Sequence, residues 1–542
     1  ITLTASWHEE FALKLVERFG NLNGRKICVE FENIFTKNYQ HQFSPNQAID
    51  DITDIKNSID GNKLIFKLSN NTQAYQLKIF NPQDKLHLSQ LLPILENLGF
   101  EVLHEHSVQL NKLNDFWIHN FTILPKVVHH KIDAQNIEEH VALILNNQAA
   151  CDILCSLASL ENFTPKQVNL LRALTKYLQQ TEFAYDINYV HAILAKHYTA
   201  SAKLIGIFEA GFDDKNHNVQ KKIDLIDEFN KYLENVSNSA EDKILKYLLA
   251  TNLAIVRTNA YQKTNDGLKK PYLSFKFDSS KVPGLKLPIP YAEIYVYSEE
   301  FEGIHLRHGK VARGGLRWSD RSQDFRTEAL ALMKAQTTKN SVIVPVGSKG
   351  AFYIKNLDKI PPGEKYKQYV VSCYKNFLRG MLDLTDNIIN GKLVKPLNTV
   401  IYDEDDQYLV VAADKGTASF SDYANEIAKE YNFWLGDAFA SGGSAGYDHK
   451  KMAITAKGAW VSTIEHLNNA GLALRDAKFL GIGDMSGDVF GNGMLLSDEI
   501  KLVAAFDHRH IFIDPAPQDS VICFNERKRL FDMPMSKWSD YN

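Results

Sequence analysis

The stretch SVIVPVGSKG, residues 341–350, decides the fold class of this 542-residue sequence. Residues 341–346 form an apolar, β-branched run with the length of a buried strand, and residues 347–350 follow it as a predicted glycine loop. The preceding residues, 322–340, carry apolar side chains at three- and four-residue spacing, which predicts a helix. A helix that leads into a buried strand is typical of an α/β layer, and this alternation continues from about Tyr272 onward.

The pattern of helices and strands divides the rest of the chain into further regions, and together the regions indicate an α/β multidomain fold. Residues 1–130 alternate helices with short strands, two of them around a turn at Asn70-Asn71, and resemble an ACT-like α+β regulatory module. Residues 131–260 show helical periodicity only and predict a packed helical linker domain. Residues 261–440 predict an α/β substrate-binding and catalytic domain, and residues 441–542 predict the start of a Rossmann domain.

The composition excludes several classes of function. The 61 basic and 65 acidic residues give a formal net charge of -4, so there is no electrostatic case for binding nucleic acid or an anionic membrane. No apolar run approaches the ~18 residues that span a bilayer. The five cysteines are too few and too scattered for a disulfide framework, which fits a reducing cytoplasm. The first residue is Ile1 rather than Met, so we expect a piece of a longer chain.

Two lysines of the predicted helix 322–340 differ in helical phase. At ~100° per residue, Lys339 falls on the buried side with Phe325, whereas Lys334 falls on the opposite face. A lysine on the inner side is costly without an anionic partner or a chemical task. We interpret Lys334 as a solvated charge and keep two interpretations of Lys339: a ligand-binding cation, or a lysine that reaches solvent from the helix end.

Lys349 is the candidate catalytic group. Its flanking glycines let a ligand approach the backbone, and nearby cations would favour the neutral amine, which can act as a base or as a polarising donor. Upstream, RGGLRW at residues 313–318 predicts a glycine turn that begins with Arg313 and Gly314. Cations that converge on one cleft suit a dicarboxylate. Phosphate is the competing ligand, but no Walker spacing is present.

An acid follows a second predicted strand of this region. Residues 408–413 run into Asp414, and an acid at the C-terminal end of a strand is well placed for proton transfer. The alternative is that Asp414 is a cap or turn residue. Further on, the run DHRH at residues 507–510 does not predict a metal site, because adjacent residues on a strand point to opposite faces.

The segment GIGDMSG, residues 481–487, predicts a dinucleotide-binding turn. It follows the predicted strand 477–480 and precedes a predicted helix that extends to Leu496, and its spacing G-x-G-x-x-x-G is a variant of the Rossmann fingerprint. A second strand, residues 502–506, ends at Asp507, where an acid can hold a ribose 2′-hydroxyl and favours NAD over NADP. The candidate cofactor-binding residues are Gly481, Gly483, Asp484, Met485, Ser486, Gly487 and Asp507. About 60 residues follow Gly481, fewer than a complete Rossmann sheet needs, so we expect this domain to be incomplete and the chain alone to be inactive.

Four segments together resemble the large bacterial NAD-specific glutamate dehydrogenases: VARGGLRWSDR at 311–321, PVGSKG at 345–350, VVAADKGTA at 410–418 and GIGDMSGDVFGNG at 481–493. The resemblance runs from about Tyr272 to Asn542. It implies a cytoplasmic enzyme that converts L-glutamate, NAD and water to 2-oxoglutarate, ammonium and NADH. It also implies a homo-oligomer, a tetramer or a hexamer, for the full-length protein.

The resemblance implies roles for single residues as well. Arg313 and Gly314 are candidate substrate-binding residues, and Arg313 stands where the smaller glutamate dehydrogenases have a lysine for the substrate's side-chain carboxylate. Gln336 and Lys339 match a pair that holds the α-carboxylate. Lys349 matches the lysine that activates water and polarises the imino or keto carbon, Asp414 the proton shuttle at the amino nitrogen, and Thr455 a threonine near the nicotinamide.

This sequence departs from that pattern in places, and two other functions stay open. Arginine for lysine at 313 keeps the charge but alters the geometry, the interval from Lys339 to Lys349 is two residues shorter, and an insertion precedes Asp414. One alternative is another amino-acid dehydrogenase, for which an apolar pocket would be expected in place of Arg313. The other is a non-catalytic amino-acid sensor, which would need neither Lys349 nor Asp414.

Overall fold

Two structural units make up the chain in a computed structural model. The larger unit is Ile1–Thr417 with Glu430–Trp434, and the smaller unit is Ala418–Lys429 with Leu435–Asn542. The structure describes residues 6–31, 33–71, 74–83, 85–111, 113, 116–127, 131–264, 266–337, 346–444, 446, 449–482, 488–506, 510–517, 519–534 and 536–542. Outside these ranges lie Lys339, residues 341–345 of the predicted strand 341–346, and Gly483, Asp484, Met485, Ser486, Gly487 and Asp507. Among the described helices, none has the length and apolar character of a membrane span.

The N-terminal part of the larger unit begins with four helices: α1 (Trp7–Phe19), α2 (Asn21–Phe31), α3 (Lys37–Gln42) and α4 (Pro45–Gly61). Helix α4 begins where the sequence signals a start, because Ser44 caps it, Gln47 closes a capping box and Pro45 takes the first position. Its apolar side, with Ile52 and Ile55, is fully or almost fully buried.

An antiparallel four-stranded sheet follows. Its elements are β1 (Ile65–Asn71), β2 (Ala74–Asn81), α5 (Leu88–Asn97), β3 (Phe100–Gln109), β4 (Trp117–Pro125) and α6 (Ala134–Leu145), and the strand order is β1-β2-β4-β3. Ile79 and Phe121 pack with α5 and α6 on one face, while Phe80 and Ile118 pack with the N-terminal helices on the other. The predicted hairpin and the α+β pattern of this part are confirmed. The turn predicted at Asn70-Asn71 is wrong, because both residues lie in β1 and pair with Tyr75 and Ala74 of β2.

The predicted helical part, residues 131–260, begins with α6, which packs on the sheet just described. The helices that follow are α7 (Leu157–Glu161), α8 (Pro165–Gln179), α9 (Ile187–Lys196), α10 (Tyr198–Phe212), α11 (Val219–Leu233) and α12 (Ser239–Leu253). Thr164 caps α8 and Pro165 is its first residue, as predicted. The buried side of α8 belongs to the same apolar core as the sheet that comes next.

A mixed seven-stranded sheet forms the centre of the larger unit, in the order β13-β9-β10-β8-β7-β6-β5. Its strands are β5 (Ile255–Thr258), β6 (Leu273–Phe277), β7 (Ala292–Tyr297), β8 (Phe301–Arg307), β9 (Ala312–Trp318), β10 (Val346–Ile354) and β13 (Val410–Ala413). Helix α13 (Phe325–Thr337) precedes β10, and α14 (Glu364–Leu382) and a separate hairpin, β11 (Asn387–Ile389) and β12 (Lys392–Val394), precede β13. Strand β9 is parallel to both β10 and β13, whereas the remaining pairs are antiparallel.

Two predicted glycine loops are in fact strands. The segment RGGLRW was predicted as a turn but lies in β9, and GSKG was predicted as a loop but lies in β10. The glycines are there because neighbouring groups come very close: a Cβ atom at Gly350 would lie 2.4 Å from Leu316 Cδ2, and one at Gly347 would lie 2.4 Å from Gln336 Oε1. Glycine within a strand often marks such a close approach rather than the end of the strand.

The two faces of this sheet are covered by different elements. Ala351 and Leu306 belong to one core with Met333 of α13 and with the helical part. Phe352, the neighbour of Ala351, instead contacts the aromatic rings of α14. Because successive side chains of a strand alternate, each strand contributes residues to both faces. We call them the α13 face and the α14 face.

A buried ionic network lies on the α14 face. Arg307 donates to Asp406 Oδ1 at 2.7 Å, and Lys276 donates to Asp406 Oδ2 at 2.5 Å. Arg257 donates in the same way to Asp386 Oδ1 at 2.7 Å. Burial raises the pKa of the Asp406 carboxyl, but Arg307 and Lys276 outweigh burial and hold the pKa far below its ordinary value. The network ties the segment between α14 and β13 to the sheet.

The smaller unit contains α15 (Ser421–Glu430), whose last residue belongs to the larger unit, α16 (His449–Met452), α17 (Ile454–Asn469), β14 (Lys478–Ile482), α18 (Asp488–Gly491), β15 (Lys501–Phe506), β16 (Ile511–Ile513) and α19 (Ser520–Asp532). Strands β14 and β15 are parallel, as predicted, and β16 adds an antiparallel strand that was not predicted. The helix predicted to reach Leu496 is shorter: α18 ends at Gly491, and a 3-10 turn covers Gly493–Leu495. Glycine at 491 and 493 disfavours a continuous helix.

Candidate active site

The candidate site lies on the α13 face, at the three parallel strands. Arg313 is paired with Gly347 across β9 and β10, and Arg317 is paired with Ala351. Because strand side chains alternate, Arg313, Gly315 and Arg317 of β9 share this face with Lys349 of β10. The chain turns at the end of β13 and brings Asp414 to the same place.

Lys349 and Asp414 form an ion pair at the centre of the site. The distance from Lys349 Nζ to Asp414 Oδ2 is 2.8 Å, and the two side chains are 12% and 17% exposed. Burial raises the pKa of the Asp414 carboxyl, but hydrogen bonds from Lys349 and from the Lys415 N–H outweigh burial, so the pKa lies below its ordinary value. Two groups predicted to act in proton transfer, 65 residues apart in sequence, are thus in direct contact.

The turn after β13 fixes Asp414. Thr417 Oγ1 accepts a hydrogen bond from the Asp414 N–H at 3.0 Å and donates to the Leu316 carbonyl at 2.7 Å. Gly416 has a φ of +82°, in the left-handed region that favours glycine, and packs against Trp318. Asp414 is therefore a turn residue, as one interpretation of the sequence has it, and an ion-pair partner at once. Its role in proton transfer stays a prediction.

Arg317 is a member of the site that sequence reasoning missed. Its Nε and Nη2 atoms lie 3.4 Å from the two carboxylate oxygens of Asp414, and its Nη1 donates to Glu328 Oε1 of α13 at 2.9 Å. Ser319 Oγ donates to the other Glu328 oxygen at 2.6 Å. The sequence does contain a signal for Arg317: if residues 313–318 are assigned to a strand, Arg317 lies on the same side as Arg313.

The structure describes some of the predicted substrate-binding residues and not others. Gln336 of α13 lies over Gly347, two residues from Lys349 in β10. The side chain of Arg313 is exposed and forms no ion pair with any residue of the described ranges. Lys334 is exposed on α13, as predicted. Lys339 lies outside the described residues, so its position relative to Gln336 stays a prediction.

Gly314 points to the other side of β9 and has a steric task there. A Cβ atom at this position would lie 1.6 Å from the Ser348 carbonyl oxygen, which is backbone and cannot move aside cheaply. Its contribution to the site is therefore the spacing between β9 and β10, the strands that carry Arg313 and Lys349.

We expect Gly314→Ala to lower the free energy of unfolding by about 1–3 kcal/mol or more, because the added methyl group would force β9 and β10 apart. Gly458→Ala is the matched control: Gly458 lies in helix α17 with no atom near its Cβ position, so alanine there should be neutral or stabilising. Urea unfolding of both variants measures the difference. Equal stability of the Gly314→Ala variant and the unmodified protein would contradict the strand-spacing role.

The candidate cofactor residues lie in the smaller unit and are described only in part. Gly481 is a buried residue of β14, and Thr455 stands in the first turn of α17. The Thr455 N–H donates to Asp488 Oδ2 at 2.9 Å, and the Ala456 N–H donates to the same oxygen at 3.2 Å. Asp488, which the sequence analysis did not single out, thus caps the helix that carries Thr455. Gly483, Asp484, Met485, Ser486, Gly487 and Asp507 are not described.

Three family models match the chain. "Bacterial NAD-glutamate dehydrogenase, catalytic domain" matches residues 228–542, "Glutamate dehydrogenase, ACT3 domain" matches residues 63–137, and "Glutamate dehydrogenase, helical motif 3" matches residues 149–214. The first covers more than half of the chain and includes the Lys349–Asp414 pair.

Curated relatives extend the similarity over almost the whole chain. The NAD-specific glutamate dehydrogenase of Pseudomonas aeruginosa is 43% identical over 99% of this chain and 34% of that protein. The enzyme of the same name from Mycobacterium tuberculosis is 42% identical over 96% of this chain and 33% of that protein. The chain spans about a third of the length of these relatives. Among solved structures, the glutamate dehydrogenase of Peptoniphilus asaccharolyticus aligns at 15% identity with a TM-score of 0.30, over 44% of this chain and 58% of that one.

Proposed function

This chain belongs to the bacterial NAD-specific glutamate dehydrogenases, and we propose that it carries the catalytic pair of an enzyme that oxidatively deaminates L-glutamate with NAD. The observation that carries the proposal is the 2.8 Å contact between Lys349 and Asp414 on a face lined by two further cations, Arg313 and Arg317. An amine and a carboxylate in contact suit proton transfer, and cations around them suit an anionic substrate.

The proposed roles follow from the position of each group. Arg313 holds the side-chain carboxylate of the substrate, and Gln336 with Lys339 holds the α-carboxylate. Gly314 keeps the spacing of β9 and β10. The electrostatic argument for Arg313 is that an exposed guanidinium can form a bidentate pair with a carboxylate.

The proposed chemistry needs a proton acceptor at the amino nitrogen and an activated water. Asp414 takes a proton from the glutamate amino group as the Cα–N bond becomes an imine. Lys349 then activates the water that adds to the imine carbon, the C–N bond breaks, and ammonia leaves with a proton to give 2-oxoglutarate and ammonium. The hydrogen bond between Lys349 and Asp414 offers a path for the proton between these steps.

NAD, when bound, supplies the acceptor for the hydride of the glutamate Cα. The described residues fit such a cofactor, since β14 and β15 are parallel, α18 stands between them in the sequence, and the buried Gly481 precedes the glycine segment. We propose that Gly481, Gly483, Asp484, Met485, Ser486 and Gly487 surround the pyrophosphate, that Asp507 holds the ribose, and that Thr455 lies near the nicotinamide. Residues 441–542 are thus proposed as the start of a Rossmann domain.

The wider organisation is proposed on the same basis. Residues 1–130 act as an ACT-like regulatory region, 131–260 as a helical domain and 261–440 as the substrate and catalytic domain. The full-length protein is a homo-oligomer, a tetramer or a hexamer, in the cytoplasm. Light scattering of the purified full-length protein would give the number of subunits.

Absorbance of NADH tests the proposed function. The full-length protein is mixed with NAD and, in turn, with L-glutamate, L-aspartate, L-leucine and L-phenylalanine. We expect NADH to form with glutamate and only slowly with the two apolar amino acids. Faster turnover of leucine or phenylalanine would identify a different amino-acid dehydrogenase, and no turnover with any of the four would leave only amino-acid sensing.

We expect Arg313→Met to raise the KM for glutamate by about 10–100-fold, the effect of losing a charge-assisted hydrogen bond of ~1.5–3 kcal/mol. Arg313→Lys is the conservative control and should lose less, because the charge remains. Steady-state kinetics of both variants at varied glutamate gives the comparison. An unchanged KM in the methionine variant would remove Arg313 from the substrate site.

A further inference from the structure

The N-terminal end of α13 is held by the end of α8, a helix of the helical part. Gln180, the residue after α8, donates from Nε2 to the Ser322 carbonyl at 3.1 Å. Its Oε1 accepts from the Arg326 N–H at 3.3 Å. Arg326 is in the first turn of α13, where backbone N–H groups have no partner within their own helix. Gln180 therefore caps α13 from a different region of the chain.

A second connection joins the same two helices through β7. Arg326 Nε donates to Glu293 Oε2 at 2.9 Å and Arg326 Nη2 donates to Glu293 Oε1, while Tyr177 Oη of α8 donates to Glu293 Oε2 at 3.1 Å. Each of these three residues is at most 1% exposed. A buried charge pair is tolerated only when its hydrogen bonds are complete, so Tyr177, Glu293 and Arg326 fit one arrangement of α13 and resist its displacement.

Helix α13 in turn carries residues of the candidate active site. Glu328, two residues after Arg326, binds Arg317 and Ser319, and Arg317 contacts Asp414. Gln336, near the other end of the helix, lies over Gly347 beside Lys349. A shift of α13 along the sheet would therefore move Glu328, which binds Arg317, together with Gln336, which lies over β10.

We propose that Tyr177 and Gln180 are positioning residues of the active site, which fix α13 and thereby the Glu328–Arg317 pair that holds Asp414. The helical part is then a structural component of the catalytic centre rather than a linker. This inference rests on the proposed function for its kinetic consequence, but not for its structural one, since the contacts exist without substrate. It assigns a task to a region in which the sequence showed no catalytic residue.

Three variants of the full-length protein test the proposal. Tyr177→Phe removes the hydroxyl on Glu293, and Gln180→Ala removes the cap of α13. Thr175→Val is the matched control: Thr175 is also in α8 and fully buried, but its hydroxyl binds the Arg172 carbonyl and His191, both at 2.9 Å and both within the helical part. All three variants lose buried hydrogen bonds, so a general loss of stability affects them alike.

We expect Tyr177→Phe and Gln180→Ala to lower kcat on the order of tenfold, because small displacements of positioned groups are costly to rate, with the KM for NAD unchanged. Amide hydrogen exchange of residues 325–337 should be faster in these two variants. Thr175→Val should lower Tm comparably, without either change. Equal losses of kcat in all three variants, or unchanged exchange in α13, would overturn the positioning role. If the unmodified protein forms no NADH from glutamate, the proposed function fails, and hydrogen exchange still decides this inference.

Discussion

Replacing Lys349 with alanine is expected to lower kcat for glutamate oxidation by about 10²–10⁴-fold, the usual contribution of a positioned acid–base group. The variant should stay folded, because the Asp414 carboxylate keeps the Lys415 N–H at 2.8 Å and the Arg317 guanidinium at 3.4 Å. Arg317, the described cation that also contacts Asp414, should not replace the lost amine, since it is already shared with Glu328. NADH formation at saturating glutamate and NAD measures the effect.

Lys334→Ala is the control for this experiment. Lys334 lies on α13 but on its exposed side, so removing its charge should leave kcat close to that of the unmodified protein. Added ethylamine should restore part of the activity of Lys349→Ala and none of that of an Asp414→Ala variant, because only the first lacks an amine. A Lys349→Ala enzyme as active as Lys334→Ala would sink the proposed role.

The largest expected effect on stability comes from Asp406→Asn. This change leaves Arg307, whose side chain is 2% exposed, as a buried cation without its carboxylate partner. Lys276, 4% exposed, loses one of its two carboxylates and keeps Asp403. Removing one partner of a buried ion pair costs about 3–5 kcal/mol of unfolding free energy, because the remaining charge is uncompensated. Asp405→Asn is the neighbouring control: Asp405 pairs with Lys395 at 2.7 Å, but its side chain is 61% exposed, so the loss should stay below ~1 kcal/mol.

The Asp406→Asn penalty should also depend on pH. The pKa of Asp406 lies far below its ordinary value in the folded protein, so the carboxylate contributes stability above the unfolded pKa of ~3.9 and loses it as the pH falls toward the folded pKa. The difference between Asp406→Asn and the unmodified protein should therefore be constant near neutral pH and shrink below about pH 4. Urea unfolding at several pH values checks this, and a difference that grows in acid would contradict the assignment.

Local signals predicted much of the fold. The start of α8 was readable from Thr164 and Pro165 because a cap and a first-turn proline act within a few residues. The hairpin of β1 and β2 was equally local. The segments 313–318 and 347–350 were assigned wrongly, since their glycines are explained by atoms of distant residues, such as the Ser348 carbonyl near Gly314. No local pattern reports such a contact.

Residues of the candidate site could be predicted where the type of side chain and its local sequence indicate a chemical role. Lys349 and Asp414 were singled out as a base and an acid, and they are in contact. Arg317 was missed because a turn assignment hides the two-residue alternation that puts it beside Asp414. The Asp406 network and the Tyr177–Glu293–Arg326 contacts were beyond reach, since each depends on side chains from separate elements that meet only in the folded chain.

The alternation of β8 and β10 has a consequence for how this sequence can change over time. Lys349 and its β8 partner Leu306 face α13, while Ser348 and its partner Arg307 face α14. Substitutions one residue apart therefore fall in different surroundings: the α13 face carries Lys349 beside the apolar core, and the α14 face carries the ionic network. Substitutions at the odd-numbered positions of β8, which face α14, can therefore strengthen or weaken the folded state. They do so without changing the odd-numbered positions of β10, which carry the proposed chemistry.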